Sequence, residues 1–151
     1  MSRLLRTLAI LILVCLAGVA GAQSRPGAAI RYRQGLMAAI GWNFDLLGTM
    51  VRRGPFDAKE FASRAERLAA FGPQIMEGFP KPTDADKGAV TDAAKEIWSD
   101  AAGFQARVDE YIAESRKLAD AAKSGDEAQM KAQYRKLSDT CKGCHDTYKA
   151  D

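Results

Sequence analysis

Two of the chain's three cysteines and its only histidine fall within five consecutive residues near the C-terminus, Cys141-Lys142-Gly143-Cys144-His145. On a helix, Cys141 and Cys144 stand at i, i+3 and Cys141 and His145 at i, i+4, so all three side chains project from one face. C-x-x-C-H is the spacing by which c-type haem is attached: two thiols add across the vinyl groups and the adjacent imidazole reaches the iron. Two blander uses of a C-x-x-C pair fit less well. A zinc site needs about four nitrogen or sulfur ligands, and the chain beyond residue 22 holds only three such residues. A redox dithiol belongs at the start of a helix in a βαβ setting, which the pattern lacks.

The N-terminus sets the compartment. Arg3 and Arg6 form a basic opening, Leu8 to Leu16 is an unbroken apolar run, and Ala20-Gly21-Ala22 supplies small residues for cleavage. This is the layout of a secretory signal peptide, and the run is short of the roughly 20 apolar residues of a membrane span. The expectation is a signal peptide over residues 1–22, a mature domain over 23–151 with no membrane span, and a periplasmic location. Cys15 leaves with the peptide, so no thiol remains for a structural disulfide. The whole chain has 22 basic and 19 acidic residues. Loss of Arg3 and Arg6 leaves a near balance, which gives no reason to expect nucleic acid as a partner.

The mature segment is rich in good helix formers and has the length of one domain. Apolar residues recur at 3–4 spacing in four stretches. The first, about 28–53, carries Met37, Ile40, Phe44, Leu47 and Val51 and ends at Gly54-Pro55. The second, about 57–71, carries Phe61, Leu68 and Phe71, with Asp57 as its N-cap and Gly72-Pro73 as its stop. An irregular section follows to about residue 87. The third stretch, about 90–123, carries Ile97, Ala101, Phe104, Val108, Ile112 and Ser115. The last, about 126–148, aligns Met130, Tyr134, Leu137, Cys141, Cys144 and Tyr148. The spacing predicts an all-α, antiparallel four-helix bundle, up-down-up-down, with the cysteine face turned inward.

For the second axial position of the iron, periodicity offers Met37 on the first stripe, where a methionine equally serves as core filler. Met130 shares a helix with His145, Met50 lies more than three turns from Met37, and Met76 falls in the irregular section.

The chain resembles the class II c-type cytochromes, the cytochrome c′ and low-spin cytochrome c556 family. The resemblance rests on Tyr32-Arg33-Gln34, Gly54-Pro55-Phe56-Asp57, Ile97-Trp98-Ser99-Asp100 with Phe104, and Cys141 through Tyr148. It implies one covalent haem c, with Cys141 and Cys144 as thioethers and His145 as proximal ligand. It points Met37 at the distal haem face, in a local pattern similar to that of low-spin relatives, and so makes Met37 the expected sixth ligand. It also sets Arg33, and more weakly Gln34, beside a haem propionate, although an arginine at such a position is more often solvated. Trp98 and Phe104 become pocket or core packing, and a homodimer through the first two helices is implied, with Trp42 and Leu46 as its contact unless they are buried in the monomer.

The expectation is a non-enzymatic periplasmic cytochrome that passes electrons between redox partner proteins through low-spin iron held by His145 and Met37. The alternative is a high-spin protein that binds nitric oxide or carbon monoxide at an open distal site, with Met37 as pocket wall.

Overall fold

A computed structural model describes residues 27–80 and 90–150. The expected signal peptide, with Cys15, lies outside the described residues. Four long helices form the bundle that the periodicity predicts: α1 (Ala28–Arg53), α2 (Ala58–Phe71), α4 (Ala101–Lys123) and α5 (Glu127–Tyr148), with a one-turn α3 (Glu96–Ser99) before α4. Packing runs α1 on α2, α2 on α4, α4 on α5 and, more sparsely, α5 back on α1.

Three of the four long helices start on an aspartate whose carboxylate accepts from backbone N–H groups that have no partner within the helix. Asp57 accepts from Glu60 N at 3.0 Å, Asp100 from Gly103 N at 3.2 Å, and Asp126 from Ala128 N and Gln129 N at 2.9 and 3.1 Å. Helix α1 ends after Arg52 and Arg53, cations suited to a helix C-terminus.

The structure departs from the expected elements in two places. The third stretch does not run unbroken from Val90: residues 90–94 are non-helical, with one isolated bridge at Ala93, α3 makes one turn, and the backbone leaves the helix at Asp100 (φ −123°, ψ 56°) before α4 begins. The cause is the side chain of Asp100, which is spent on capping α4. Nor does Gly72-Pro73 release the chain into coil. A 3₁₀ segment, Gly72–Gly78, continues from α2 with the proline in its first turn, where a missing N–H costs nothing.

The core is built from Leu47, Phe61, Ala65, Leu68, Leu118, Met130 and Leu137, all fully buried. Each large side chain among them contributes about 1.5–3 kcal/mol by leaving water. On α1 the buried positions include Leu36 and Asn43, while Met37 and Phe44 are half-buried; the inward face is wider than a narrow seam. Buried Asn43 is satisfied locally: its Nδ2 donates to Ala39 O at 2.8 Å and its Oδ1 accepts from Arg64 at 3.3 Å.

Candidate haem site

The C-x-x-C-H motif occupies the last two turns of α5. Cys141 and Cys144 are half-buried free thiols, and burial is the first cause that pushes both above the ordinary thiol range, Cys141 to about 11. Both thiols therefore keep their protons at neutral pH. His145, exposed at the cavity mouth, is displaced downward, first by partial loss of solvent around its ring and then by the charge of Lys149. Its imidazole is held neutral, the form that has a lone pair to give a metal.

A cavity of about 270 Å³ opens against this face. Helix α5 contributes Cys141, Cys144, His145 and Tyr148, and α4 contributes Phe104, Arg107, Val108 and Tyr111. From α1 come Arg33, Gln34, Met37 and Ile40, and Ile75 and Phe79 close the wall between α1 and α4. All six residues singled out from the sequence therefore border one cavity. His145 stands on the wall formed by α5 and Met37 on the wall formed by α1. Phe104 lines it as expected, whereas Trp98 packs behind the wall on Phe79, with ring centroids 6.4 Å apart.

Arg33 is not solvated. It is buried, lies over the rings of Phe79 and Trp98 at 5.0 and 5.9 Å, and donates to Gly78 O at 3.2 Å and Thr91 Oγ1 at 2.7 Å. Gly78 makes this approach possible, because a Cβ there would stand 2.6 Å from the Cβ of Arg33. Beside it, Gln34 donates to Val90 O at 2.9 Å. These bonds tie residues 90–94 to α1 as a strap along the cavity. The strap's far side pairs with the end of α5: Ala94 N donates to Tyr148 O at 3.1 Å, Ala150 N to Asp92 O at 2.7 Å, and Ala93 forms a bridge with Lys149. Sequence reasoning missed the strap, along with Tyr111 and Arg107. The periodicity could have found Tyr111, seven residues after Phe104 on the same stripe.

Several observations fit a haem. Two thiols and an imidazole share one wall, and the remaining lining is mostly aliphatic and aromatic. The described residues contain no cluster of three or more His, Cys, Asp or Glu side chains able to hold a bare metal ion. No helix among them is long and apolar enough to cross a membrane.

A four-helix bundle with a haem-attachment motif in its last helix, facing a mostly apolar cavity, defines a c-type haem protein. Residues 28–149 match the family model described as Cytochrome C′. The chain is 40% identical over 126 residues to cytochrome c′ of Rubrivivax gelatinosus, an alignment that covers 83% of this chain and 96% of that protein. The crystal structure of the Rubrivivax protein superposes with a TM-score of 0.78 at 39% identity, covering 83% of this chain and 98% of that one. A nitric oxide complex of a variant cytochrome c prime from Alcaligenes xylosoxidans gives a TM-score of 0.76 at 29% identity, covering 85% and 98%. The chain belongs to the cytochrome c′ family, whose members carry covalently attached haem c.

Proposed function

We propose that this chain is an exported, periplasmic, single-haem cytochrome whose iron is held by His145 and takes a diatomic gas, nitric oxide or carbon monoxide, on the side walled by Met37. The observation that carries this reading is the distribution of chemistry around the cavity: the imidazole stands on one wall, and Met37 and Ile40 of α1 offer only thioether and hydrocarbon. The nitric oxide complex of the Alcaligenes relative supports it. This replaces the expectation of an electron carrier with Met37 as sixth ligand by the alternative drawn from the same sequence.

Bound haem would supply a one-electron iron couple and the affinity of its iron for a diatomic gas. The chain's own residues do the rest. Cys141 and Cys144 would hold the group covalently, each through a thioether made by addition of its S–H across a vinyl, which needs no oxidant. Neutral His145 supplies its nitrogen lone pair. Met37, Ile40, Ile75, Phe79 and Phe104 exclude water and admit small apolar molecules. Arg33 and Gln34, at the polar edge of the cavity, orient the haem carboxylates; the planar guanidinium fork suits a carboxylate. The protein works as a carrier of a diatomic gas, without turnover of its own. Trp42, 68% exposed on α1 and so not buried within the monomer, provides the contact for a second copy; Leu46 beside it is half-buried.

The optical spectrum of the holoprotein tests the reading. Expected are high-spin bands that shift on adding carbon monoxide, almost unchanged by Met37→Leu. Low-spin bands with no response to carbon monoxide, turned high-spin by Met37→Leu, would overturn it and make Met37 the sixth ligand. The presence of Met37 on the same cavity as His145 is what keeps that second reading alive.

A further inference from the structure

His145 sits in the final turn of α5, three residues before the helix ends at Tyr148. The last turn of a helix is where backbone carbonyls lack intrahelical partners and where fraying begins. An axial ligand placed there needs something outside the helix to fix its direction. Tyr148 is surrounded by such fixtures.

Its hydroxyl donates to Asp100 Oδ2 at 2.7 Å. Asp100 is itself immobilised, because its other carboxylate oxygen caps α4 through Gly103 N. Gly103 leaves room for this contact: a Cβ there would stand 2.5 Å from the Tyr148 hydroxyl. The Tyr148 ring meets Phe104 edge-on at 5.2 Å. Its carbonyl accepts from Ala94 of the strap at 3.1 Å, and the strap is tied to α1 through Arg33 and Gln34. His145 and Tyr148, at i and i+3, are neighbours on the helix surface and border the same cavity.

A purely packing role does not require the hydroxyl. A phenyl ring would serve the aromatic cluster with Phe104 equally well, and a hydroxyl moved out of water costs free energy unless it finds a partner. What the hydroxyl adds is direction, since it fastens the end of α5 to the first turn of α4. We infer that Tyr148 is a positioning residue for His145, acting through its hydrogen bond to Asp100 to set the imidazole against the haem. The inference rests on the reading of His145 as the iron ligand. It differs from the usual partner of a metal-bound histidine, which touches the ring's second nitrogen; here the backbone that carries the ring is held instead.

The test uses the holoprotein and two variants. Tyr148→Phe removes the bond and keeps the ring. Asp100→Asn keeps a capping side chain for α4 and an acceptor oxygen but removes its charge, so this variant folds even if the first proves fragile. Three readouts are taken: the hyperfine-shifted proton resonances of the His145 ring in the ferric protein, the oxidised-to-reduced ratio at a fixed ambient potential, and the thermal midpoint. Tyr148→Phe is expected to displace the His145 resonances and to shift the redox ratio, because partners that orient a ligand tune the metal it holds. Asp100→Asn is expected to move both in the same sense and less. Unmoved resonances and an unmoved redox ratio in both variants, with only the thermal midpoint lowered, would overturn the positioning role and leave His145 ligation standing. Absence of hyperfine-shifted His145 signals from the unsubstituted holoprotein would overturn the ligation reading and the positioning role together.

Discussion

The two halves of α5 carry one continuous apolar stripe and meet different surroundings. In the first half Met130 and Leu137 are fully buried, and Tyr134 stacks on Phe44 with centroids 4.6 Å apart. In the second half Cys141 and Cys144 are half-buried and His145 is exposed, all three facing a cavity. A stripe shows which way a helix faces and says nothing about what fills the space opposite. At one end of this bundle side chains complete the core; at the other, the core is finished by the covalent group of the cytochrome c′ family.

Removing the group's attachment should do the most damage to the open end. Cys141→Ser combined with Cys144→Ser is expected to leave no haem that resists extraction into acidified organic solvent, and to lower the thermal midpoint sharply. Full retention of haem through that extraction would refute the attachment. Phe61→Ala, at the closed end, should cost about 3–5 kcal/mol, and Leu137→Ala about 2–5 kcal/mol, both read by urea unfolding of the holoprotein. Neither should alter the haem spectrum, because Phe61 and Leu137 stand outside the cavity lining. A spectral change in the Phe61 variant would show that the two ends are not separate. Met37→Leu, nearly equal in volume, should cost less than about 1.5 kcal/mol.

Acid should loosen both ends through their caps. The Asp100 carboxyl lies below its ordinary value of 3.8, first because Tyr148 donates to it, and Asp126 lies below the same value chiefly because Gln129 N donates to it. A carboxyl lowered by folding adds stability that is fully present above its ordinary value and is lost as pH falls through the lower folded value. Stability should therefore fall from just below pH 4, and Asp126→Asn should flatten that limb in acid titrations followed by helical circular dichroism. An unchanged limb would remove Asp126 from the account. The smallest effect on folding is expected at Trp42: Trp42→Ala should alter monomer stability by no more than about 0.5 kcal/mol. The same variant should shift sedimentation towards the monomer if α1 carries the self-contact.

How much of this was legible in the chain can be judged residue by residue. Asp57 and Asp126 as helix starts, Gly54 as a stop and the common face of Cys141, Cys144 and His145 all follow from spacings of a few residues. Met37 was placed on an inward stripe, yet the stripe alone did not distinguish core from cavity. Arg33 was set beside a haem propionate by resemblance alone, while its residue type by itself suggested a solvated helix position. Its burial depends on Gly78, Phe79, Thr91 and Trp98, which lie 45 to 65 residues away in sequence. The third stretch was read as one helix because Ile97, Ala101 and Phe104 keep the 3–4 rhythm across Asp100. The break came from the Asp100 carboxylate, shared between the cap of α4 and the hydroxyl of Tyr148.

The sequence by itself determined the four helical stretches, the starts at Asp57 and Asp126 and the chemistry of the attachment motif. Each depends on hydrogen bonds or side-chain spacings within one or two helical turns, and a linear order records those directly. Only the tertiary structure decided that the strap joins α1 to the end of α5, that Arg33 is buried against Phe79, and that Tyr148 reaches Asp100. Those contacts join residues about 46 to 58 apart along the chain. No periodicity marks such pairs, because they form only after the packed helices have brought the segments together.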